Sequence, residues 1–80
     1  MPKRQVTLIF PQHLIKEPVI YMMAREFGVI PNIRRAKVTE TTGEMTLELD
    51  GSSEDLLTRA VAYLEQKGIK VEPVTGDVVS

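Results

Sequence analysis

The chain of 80 residues contains no cysteine, one histidine, two tyrosines and two phenylalanines, and it has no long apolar run. The lack of cysteine excludes disulfides, iron–sulfur clusters and thiolate zinc sites. One histidine is too few for a histidine-based metal cluster, so we predict no metal and no cofactor. The first four residues are not followed by an apolar signal core, and no segment is predicted to insert into a membrane. The default expectation is a soluble, cytoplasmic protein.

Neither sign of charge prevails, because ten lysines and arginines stand against eleven aspartates and glutamates. This balance does not favour non-specific attraction to nucleic acid, and no nucleic-acid partner is predicted. Eighty residues suit one small domain, with a core at about 5–74 and a frayed tail at 75–80. Such a short chain has too little length to enclose a deep active site. Since no base oriented by a second group is visible, we predict that the protein is not an enzyme.

Two amphipathic helices and four strands are predicted from the spacing of the apolar residues. Glu17 and Pro18 are typical of a helix start and Gly28 of a helix end, while Ser52 and Asp55 resemble a capping box that opens the second helix. The strands are expected at 5–10, 29–41, 45–50 and 69–71, with a bulge near Arg34 and Arg35 that restores the alternation of the second strand, and with a hairpin connection at 42–44.

The order β-α-β-β-α-β predicts an α+β, ferredoxin-like fold, in which a four-stranded antiparallel sheet carries both helices on one face. Leu47 of the third strand is expected in the core beneath the helices. Thr7, Ile9, Thr46 and Glu48 are expected on the other, mostly wettable face. An RNA-recognition domain shares this topology, but it displays aromatic side chains on its open face. No such platform is expected here, so that interpretation is not favoured.

Five segments of the chain resemble the NIL domain, a relative of the ACT-type small-molecule sensors. They lie at 6–10, 24–29, 32–33, 43–49 and 62–72, and the resemblance covers about 6–74. The motif that names the family is Asn-Ile-Leu, and here it reads Asn32-Ile33-Arg34. The resemblance implies a ferredoxin-like regulatory domain of the kind found at the C-terminus of methionine-import ABC transporter ATPases, here in a free-standing version. Because Arg34 replaces an apolar residue, we expect a ligand more acidic than methionine.

Asn32 and Ile33 are the first candidate ligand-binding residues, because they match the naming motif of the resembled family. The amide of Asn32 can hydrogen-bond the carboxylate or the amine of a ligand. The alternative is a turn or capping amide that bonds its own backbone. The residues alone leave both interpretations open, and the resemblance implies that this asparagine lies near the ligand.

Arg34, Arg35 and His13 complete the set of candidate ligand-binding residues. Arginine forks recognise carboxylates and phosphates with two hydrogen bonds. The alternative for the two arginines is a solvated strand edge with Glu40 or Glu48 as cross-strand partners. His13 lies in the connection between the first strand and the first helix, a loop that borders the ligand in ACT-like domains. A lone loop histidine is more often an exposed bystander, so that alternative also stays open.

The methionines and tyrosines are expected to serve packing rather than binding. Met22, Met23 and Met45 lie at helical and strand spacing typical of a core, although methionines can also form a plastic binding surface. Tyr21 and Tyr63 are expected to pack on the helices with their hydroxyls at the rim.

Two functions from different classes fit these observations. The first is a small-molecule-sensing regulatory module that binds an amino-acid-like ligand at a homodimer interface and alters a regulated partner protein. The second is a protein-interaction adaptor that binds no metabolite and uses its sheet edge or its open face. A homodimer is expected because a small ferredoxin-like sheet leaves unpaired edge strands, and because the resembled family pairs such domains.

Overall fold

A computed structural model describes residues 1–74, and within them the chain forms four strands and two α-helices. The expected tail at 75–80 lies outside the described residues. A short 3-10 helix, Gln12–Leu14, follows the first strand. The other elements, in chain order, are strand β1 (Lys3–Phe10), helix α1 (Val19–Phe27), strand β2 (Ile30–Val38), strand β3 (Gly43–Asp50), helix α2 (Glu54–Gln66) and strand β4 (Lys70–Pro73).

The four strands form one antiparallel sheet in the order β2-β3-β1-β4, so that β2 and β4 are its two edges. Leu47 of β3 is directly opposite Val6 of β1 and Ile33 of β2. Directly opposed residues of an antiparallel pair point to the same face of the sheet. The helices pack on this face, called here the helix face, and the other is called the open face. The predicted α+β, ferredoxin-like fold is therefore confirmed.

A single core lies between the helix face of the sheet and the inner sides of both helices. Leu47 has no exposed surface, which confirms the predicted facing of β3. Met23 of α1 and Leu64 of α2 are equally buried. The expectation that Met22 is also a core residue is wrong, since its side chain is exposed. Successive helical residues are rotated by about 100°, so the neighbour of a buried residue leaves the core stripe.

Gly28 ends α1 and turns the chain into β2. It adopts the left-handed conformation, with φ at 65°, where glycine is unstrained and other residues are not. The predicted end of α1 is therefore confirmed. The start is slightly later than expected, because Pro18 is the residue that precedes the helix and Val19 is its first residue.

The cap of α2 is Ser53, and the prediction of Ser52 is wrong by one residue. The Oγ atom of Ser53 accepts a hydrogen bond from the N–H of Leu56 at 3.1 Å. This bond satisfies one of the backbone donors that a helix start leaves free. Asp55 then lies in the first turn, where the helix dipole favours a negative charge. Because two serines are adjacent, the sequence pattern is compatible with two starting positions for α2.

β2 contains the bulge that its broken alternation predicted. The pairing passes from Ile33 opposite Leu47 to Arg35 opposite Thr46, so Arg34 is the extra residue. A bulge leaves the inserted residue unpaired and bends the strand. The insertion restores the facing of the residues that follow, as the sequence required.

The connection between β2 and β3 spans 39–42, slightly earlier than the predicted 42–44. Gly43 is already paired with Val38, so it belongs to the strand rather than to the turn. Thr39 closes the connection with both its backbone and its side chain, which each form a hydrogen bond with Thr42. Its N–H donates to the carbonyl of Thr42 at 2.8 Å, and its Oγ1 accepts from the N–H of Thr42 at 3.0 Å.

Candidate functional site

Asn32 lies near the start of β2, and its side chain is exposed on the open face. Its partner across the sheet is Glu48 of β3. Because Asn32 belongs to a paired strand, it is neither a turn residue nor a helix cap. The amide therefore has no local backbone role of the kind that the alternative interpretation required.

Glu48 gathers the polar side chains around Asn32. Its Oε1 lies 3.5 Å from Nη2 of Arg34 and 3.9 Å from Nζ of Lys3. Its Oε2 accepts a hydrogen bond from Nε2 of Gln5 at 3.5 Å. The Glu48 side chain is only 15% exposed, so one carboxylate serves three donors above the sheet. Arg34 thus has Glu48 as its cross-strand partner, as the alternative of a solvated strand edge predicted.

Arg35 shares the open face with Arg34, because the bulge turns these neighbours to the same side. Arg35 is opposite Thr46, whose Oγ1 lies 3.0 Å from Oγ1 of Thr7. Lys37 is the next residue of β2 on this face. Within residues 1–74, neither Arg35 nor Lys37 has a carboxylate within the 4.0 Å of an ion pair. Arg34, Arg35 and Lys37 are called the basic strip below.

The opposite side of β2 is apolar and uncovered. Ile33, Ala36 and Val38 lie on the helix face, and Ile33 and Val38 are 53% and 57% exposed. Their strand neighbours on β3 are buried or half-buried, including Leu47 directly opposite Ile33. These three residues are called the apolar strip. β2 is therefore basic on one face and apolar on the other.

His13 lies at the other end of β2 from Asn32. It is exposed in the short 3-10 helix and lines an open groove, the loop groove, together with Lys16, Val38 and Glu40. At the usual rise of a strand, Asn32 and Val38 are about 20 Å apart. One chain therefore brings Asn32, Ile33, Arg34 and Arg35 together at the start and middle of β2, and it leaves His13 beyond the end of that strand.

A second groove, the apolar groove, adjoins the loop groove and lies between α1 and the end of β2. Its volume is about 140 Å³. An apolar cavity of about 150 Å³ in another protein admits benzene, so this groove suits a short apolar side chain. Ile15 and Val38 line both grooves. The full lining is Phe10, Ile15, Glu17, Pro18, Ile20, Tyr21, Val38, Gly43, Glu44 and Met45.

The sequence does not predict the apolar groove. It identifies only the neighbouring loop that contains His13 as a possible border of a ligand. The parity of β2 places Val38 on the helix face, and the structure agrees. Periodicity does not record how far a helix extends across a sheet, and α1 does not cover Val38. Tyr21 offered a signal, because it is a large apolar residue on α1 outside the stripe that contains Met23.

The site is suited to binding by hydrogen bonds, charge and apolar contact. Within residues 1–74, no cluster of histidine and acidic side chains is arranged to hold a metal ion. Neither helix of the described part has the length and apolar character needed to cross a membrane. The functional groups available for binding are an amide, guanidinium groups and an imidazole, and two grooves can receive apolar groups.

The model of one protein family, the NIL domain, matches residues 4–73. The chain belongs to the NIL domain family. This confirms the family that the sequence segments indicated. The crystal structure of the C-terminal domain of an ABC transporter ATP-binding protein from Enterococcus faecalis has the same fold, with a TM-score of 0.78 and 20% sequence identity. The similarity covers 92% of this chain and 86% of that chain. No curated protein sequence matches this chain.

This NIL domain carries the first two residues of the naming motif, Asn32 and Ile33, on an exposed edge strand. Asn32 and Ile33 point to opposite faces of β2, as neighbours in a strand do. Arg34, at the third motif position, is the bulged residue that is drawn to Glu48. The departure from the Asn-Ile-Leu pattern therefore falls on the one residue of β2 that has no partner in the strand register.

Proposed function

We propose that this NIL domain is a regulatory module of the cytoplasm, which senses an amino-acid-like molecule at a homodimer interface and alters a partner protein. Membership of the NIL family supports the regulatory role, as does the similar fold of the C-terminal domain of a transporter ATP-binding protein. One observation carries the proposal. The candidate ligand residues of β2 and the two grooves lie at opposite ends of this edge strand, whose outer side has no strand partner within residues 1–74.

In this proposal the dimer forms by antiparallel pairing of β2 with β2 of a second copy. The nine residues of β2 lie at an edge of the sheet, so its outer backbone groups lack a strand partner within residues 1–74. Such an edge is the template that another strand uses. The exposed Ile33 and Val38 of the apolar strip supply surface to bury, at about 25 cal/mol per Å².

Antiparallel pairing centred near Ala36 brings the separated halves of the site together. The start of one β2 then runs beside the end of the other. Asn32 of the partner subunit comes to lie beside the loop groove that contains His13. Ile33 of the partner subunit comes to lie beside Val38 at the apolar groove. Because the pairing is symmetric, each dimer has two equivalent composite sites.

The composite site has one polar end and one apolar end, as an amino acid does. The Asn32 amide and the His13 imidazole can hydrogen-bond the amine and the carboxylate. The apolar groove receives the side chain of the ligand. Arg34 and Arg35 are proposed to meet an anionic group, and Arg35 is the freer of the two because Arg34 is paired with Glu48.

The second candidate is a protein-interaction adaptor that binds no metabolite. It is favoured by the exposure of Tyr21 and Met22 on α1. Together with Arg25 and Tyr63, they border a depression on the helix layer that is lined by residues of α1 and α2. An adaptor uses such a surface and has no need of Asn32 as a ligand contact.

The test begins with a thermal-shift screen of amino acids. A ligand at 100 times its dissociation constant stabilises a protein by about 2.7 kcal/mol. For a domain of this size, we expect a rise in Tm of roughly 10 °C or more. A screen without any stabilising compound would favour the adaptor.

Calorimetry then locates the site with Asn32→Ala. A hydrogen bond to a charged group contributes about 1.5–3 kcal/mol, so we expect binding to weaken by about 10- to 100-fold. Gln66→Ala removes an exposed amide from the end of α2 and serves as the matched control, which should keep the wild-type affinity. Equal affinity of Asn32→Ala and the wild type would place the site elsewhere.

A further inference from the structure

The open face of β2 carries positive charge that the single chain leaves without ion-pair partners. Arg35 and Lys37 are exposed, and within residues 1–74 neither forms an ion pair. Lys37 is opposite Glu44 in the strand register, yet the two are not within ion-pair distance. Arg34, in contrast, is paired with Glu48 at 3.5 Å. The basic strip therefore contains two available cations, two residues apart on one strand.

Pairing two copies through β2 concentrates this charge at the dimer axis. In an antiparallel pair centred near Ala36, Arg35 of one copy faces Lys37 of the partner subunit, and the symmetry repeats this contact. Like charges that are directly opposed destabilise a strand pair and oppose association. Charged side chains on an edge are also a device that keeps sheets from joining. The apolar strip thus favours the dimer and the basic strip opposes it.

We propose that a phosphate-bearing anion binds across this axis on the open face, and that β2 pairs tightly only when the anion is present. The inference rests on the β2 pairing of the proposed function. Arginine binds phosphate through a two-pronged contact and lysine binds it as a point charge. Two cations from each copy can contact the oxygens of a pyrophosphate group, whether inorganic or part of a nucleotide.

The surface around these cations has room for such a group. Arg35, Lys37, Thr46 and the carboxylate-bearing Glu44 border a wide, open depression on the sheet. The Thr46 hydroxyl at its floor lies 3.0 Å from that of Thr7. A broad floor flanked by cations from two copies favours an extended anion over a single phosphate. The site is incomplete in one chain and complete only in the dimer.

The anion site and the amino-acid site adjoin on the same pairing, and Arg35 lies where they meet. The first is at the middle of β2, and the second is at its ends beside the two grooves. Both require the same association of two copies. Each ligand therefore raises the affinity for the other by the same factor. This NIL domain combines two signals through one dimer.

Sedimentation velocity at low ionic strength tests the inference through the dissociation constant of the dimer. The additions are pyrophosphate, ATP, and sodium chloride at equal ionic strength. We expect pyrophosphate and ATP to tighten the dimer about tenfold or more beyond chloride, which only screens charge. A response to ATP alone identifies a nucleotide as the source of the anion, and a response to both identifies the pyrophosphate group itself.

Two variants locate the effect on β2. The double variant Arg35→Gln/Lys37→Gln should dimerise without any anion and should not respond to pyrophosphate. Lys70→Gln is the matched control, because it removes a cation from the same face at the β4 edge, opposite Ile9. It should respond as the wild type does.

Several results would overturn the anion site. They are equal tightening by chloride and pyrophosphate, a wild-type dimer that is already complete without an anion, and a full response of the double variant to pyrophosphate. A different result points to the proposed function instead. If neither the wild type nor the double variant dimerises under any of these conditions, the β2 pairing itself is wrong and the anion site falls with it.

Discussion

The two edges of the sheet are built in opposite ways. β4 has four residues and ends at Pro73, which has no backbone donor. β2 has nine residues, and its large apolar side chains Ile33 and Val38 are more than half exposed. Ile69, the residue before β4, is by contrast buried in the core. One edge is short and its apolar residue Val71 is half-buried against the core, whereas the other is long and its apolar residues are exposed.

The difference follows from where α1 packs. Phe27, at the end of α1, contacts Tyr63 of α2 edge to face, with ring centroids 5.6 Å apart. The Nζ atom of Lys67 lies 5.3 Å from the centre of the same tyrosine ring. The ring contact holds α1 against α2, and the lysine packs on the tyrosine of that contact. Ile33 and Val38 on β2 stay more than half exposed, so this edge is the surface that the proposed dimer uses.

The largest expected effect separates two residues that face each other across the β2–β3 pair. Leu47 is fully buried and Ile33 is 53% exposed, although they are direct strand partners. Leu47→Ala should lower the free energy of unfolding by about 2–5 kcal/mol, because it leaves a cavity in the core. Ile33→Ala should lower it by less than about 1 kcal/mol in the monomer. Urea unfolding at low protein concentration measures both values. Similar losses for the two variants would mean that the β2 edge is covered in the monomer.

Much of the fold follows from local patterns in the sequence. Alternation identifies the strands, and the slip of parity in β2 identifies the bulge at Arg34 because one face must stay apolar. Gly28 identifies the end of α1 because few other residues accept its φ. The patterns do not decide between two local structures of nearly equal free energy. Ser52 and Ser53 can both cap a helix, and packing decides between them.

The candidate site is less accessible to sequence reasoning, because it depends on what tertiary packing leaves uncovered. The motif position identifies Asn32, and the register identifies Glu48 as a partner for its neighbour Arg34. The exposure of Val38 depends instead on the position of α1, which no periodicity encodes. The separation of His13 from Asn32 depends on the direction of β2 in the folded sheet. Whether a second copy reunites them is a prediction that the dimer measurements test.

The next prediction concerns the dimer rather than the monomer. The double variant Ile33→Ser/Val38→Ser removes most of the apolar strip. Full burial of one such side chain is worth about 1.5–3 kcal/mol, and these are already partly buried. We therefore expect the dissociation constant of the dimer to rise by about 10- to 100-fold. Sedimentation equilibrium under conditions where the wild type dimerises gives this constant.

A matched control removes an exposed apolar residue that does not lie on β2. Met22→Ser fulfils this condition, because Met22 is exposed on α1 and outside both grooves. It should leave the dissociation constant unchanged. If Met22→Ser weakened the dimer and the double variant did not, the interface would lie on the helix layer rather than on the β2 edge.

The smallest expected effect lies at the start of α2, the helix that packs against β4. Ser53 caps α2 with a hydrogen bond of 3.1 Å to the Leu56 N–H, whereas Ser52 is exposed and is not the cap. Ser53→Ala should lower the free energy of unfolding by about 1 kcal/mol, and Ser52→Ala should change it by less than about 0.5 kcal/mol. Urea unfolding compares the two. The dimer constant should be unchanged in both variants, because the loss weakens α2 without uncovering a new edge. A loss in Ser52→Ala alone would restore the capping box that the sequence predicted.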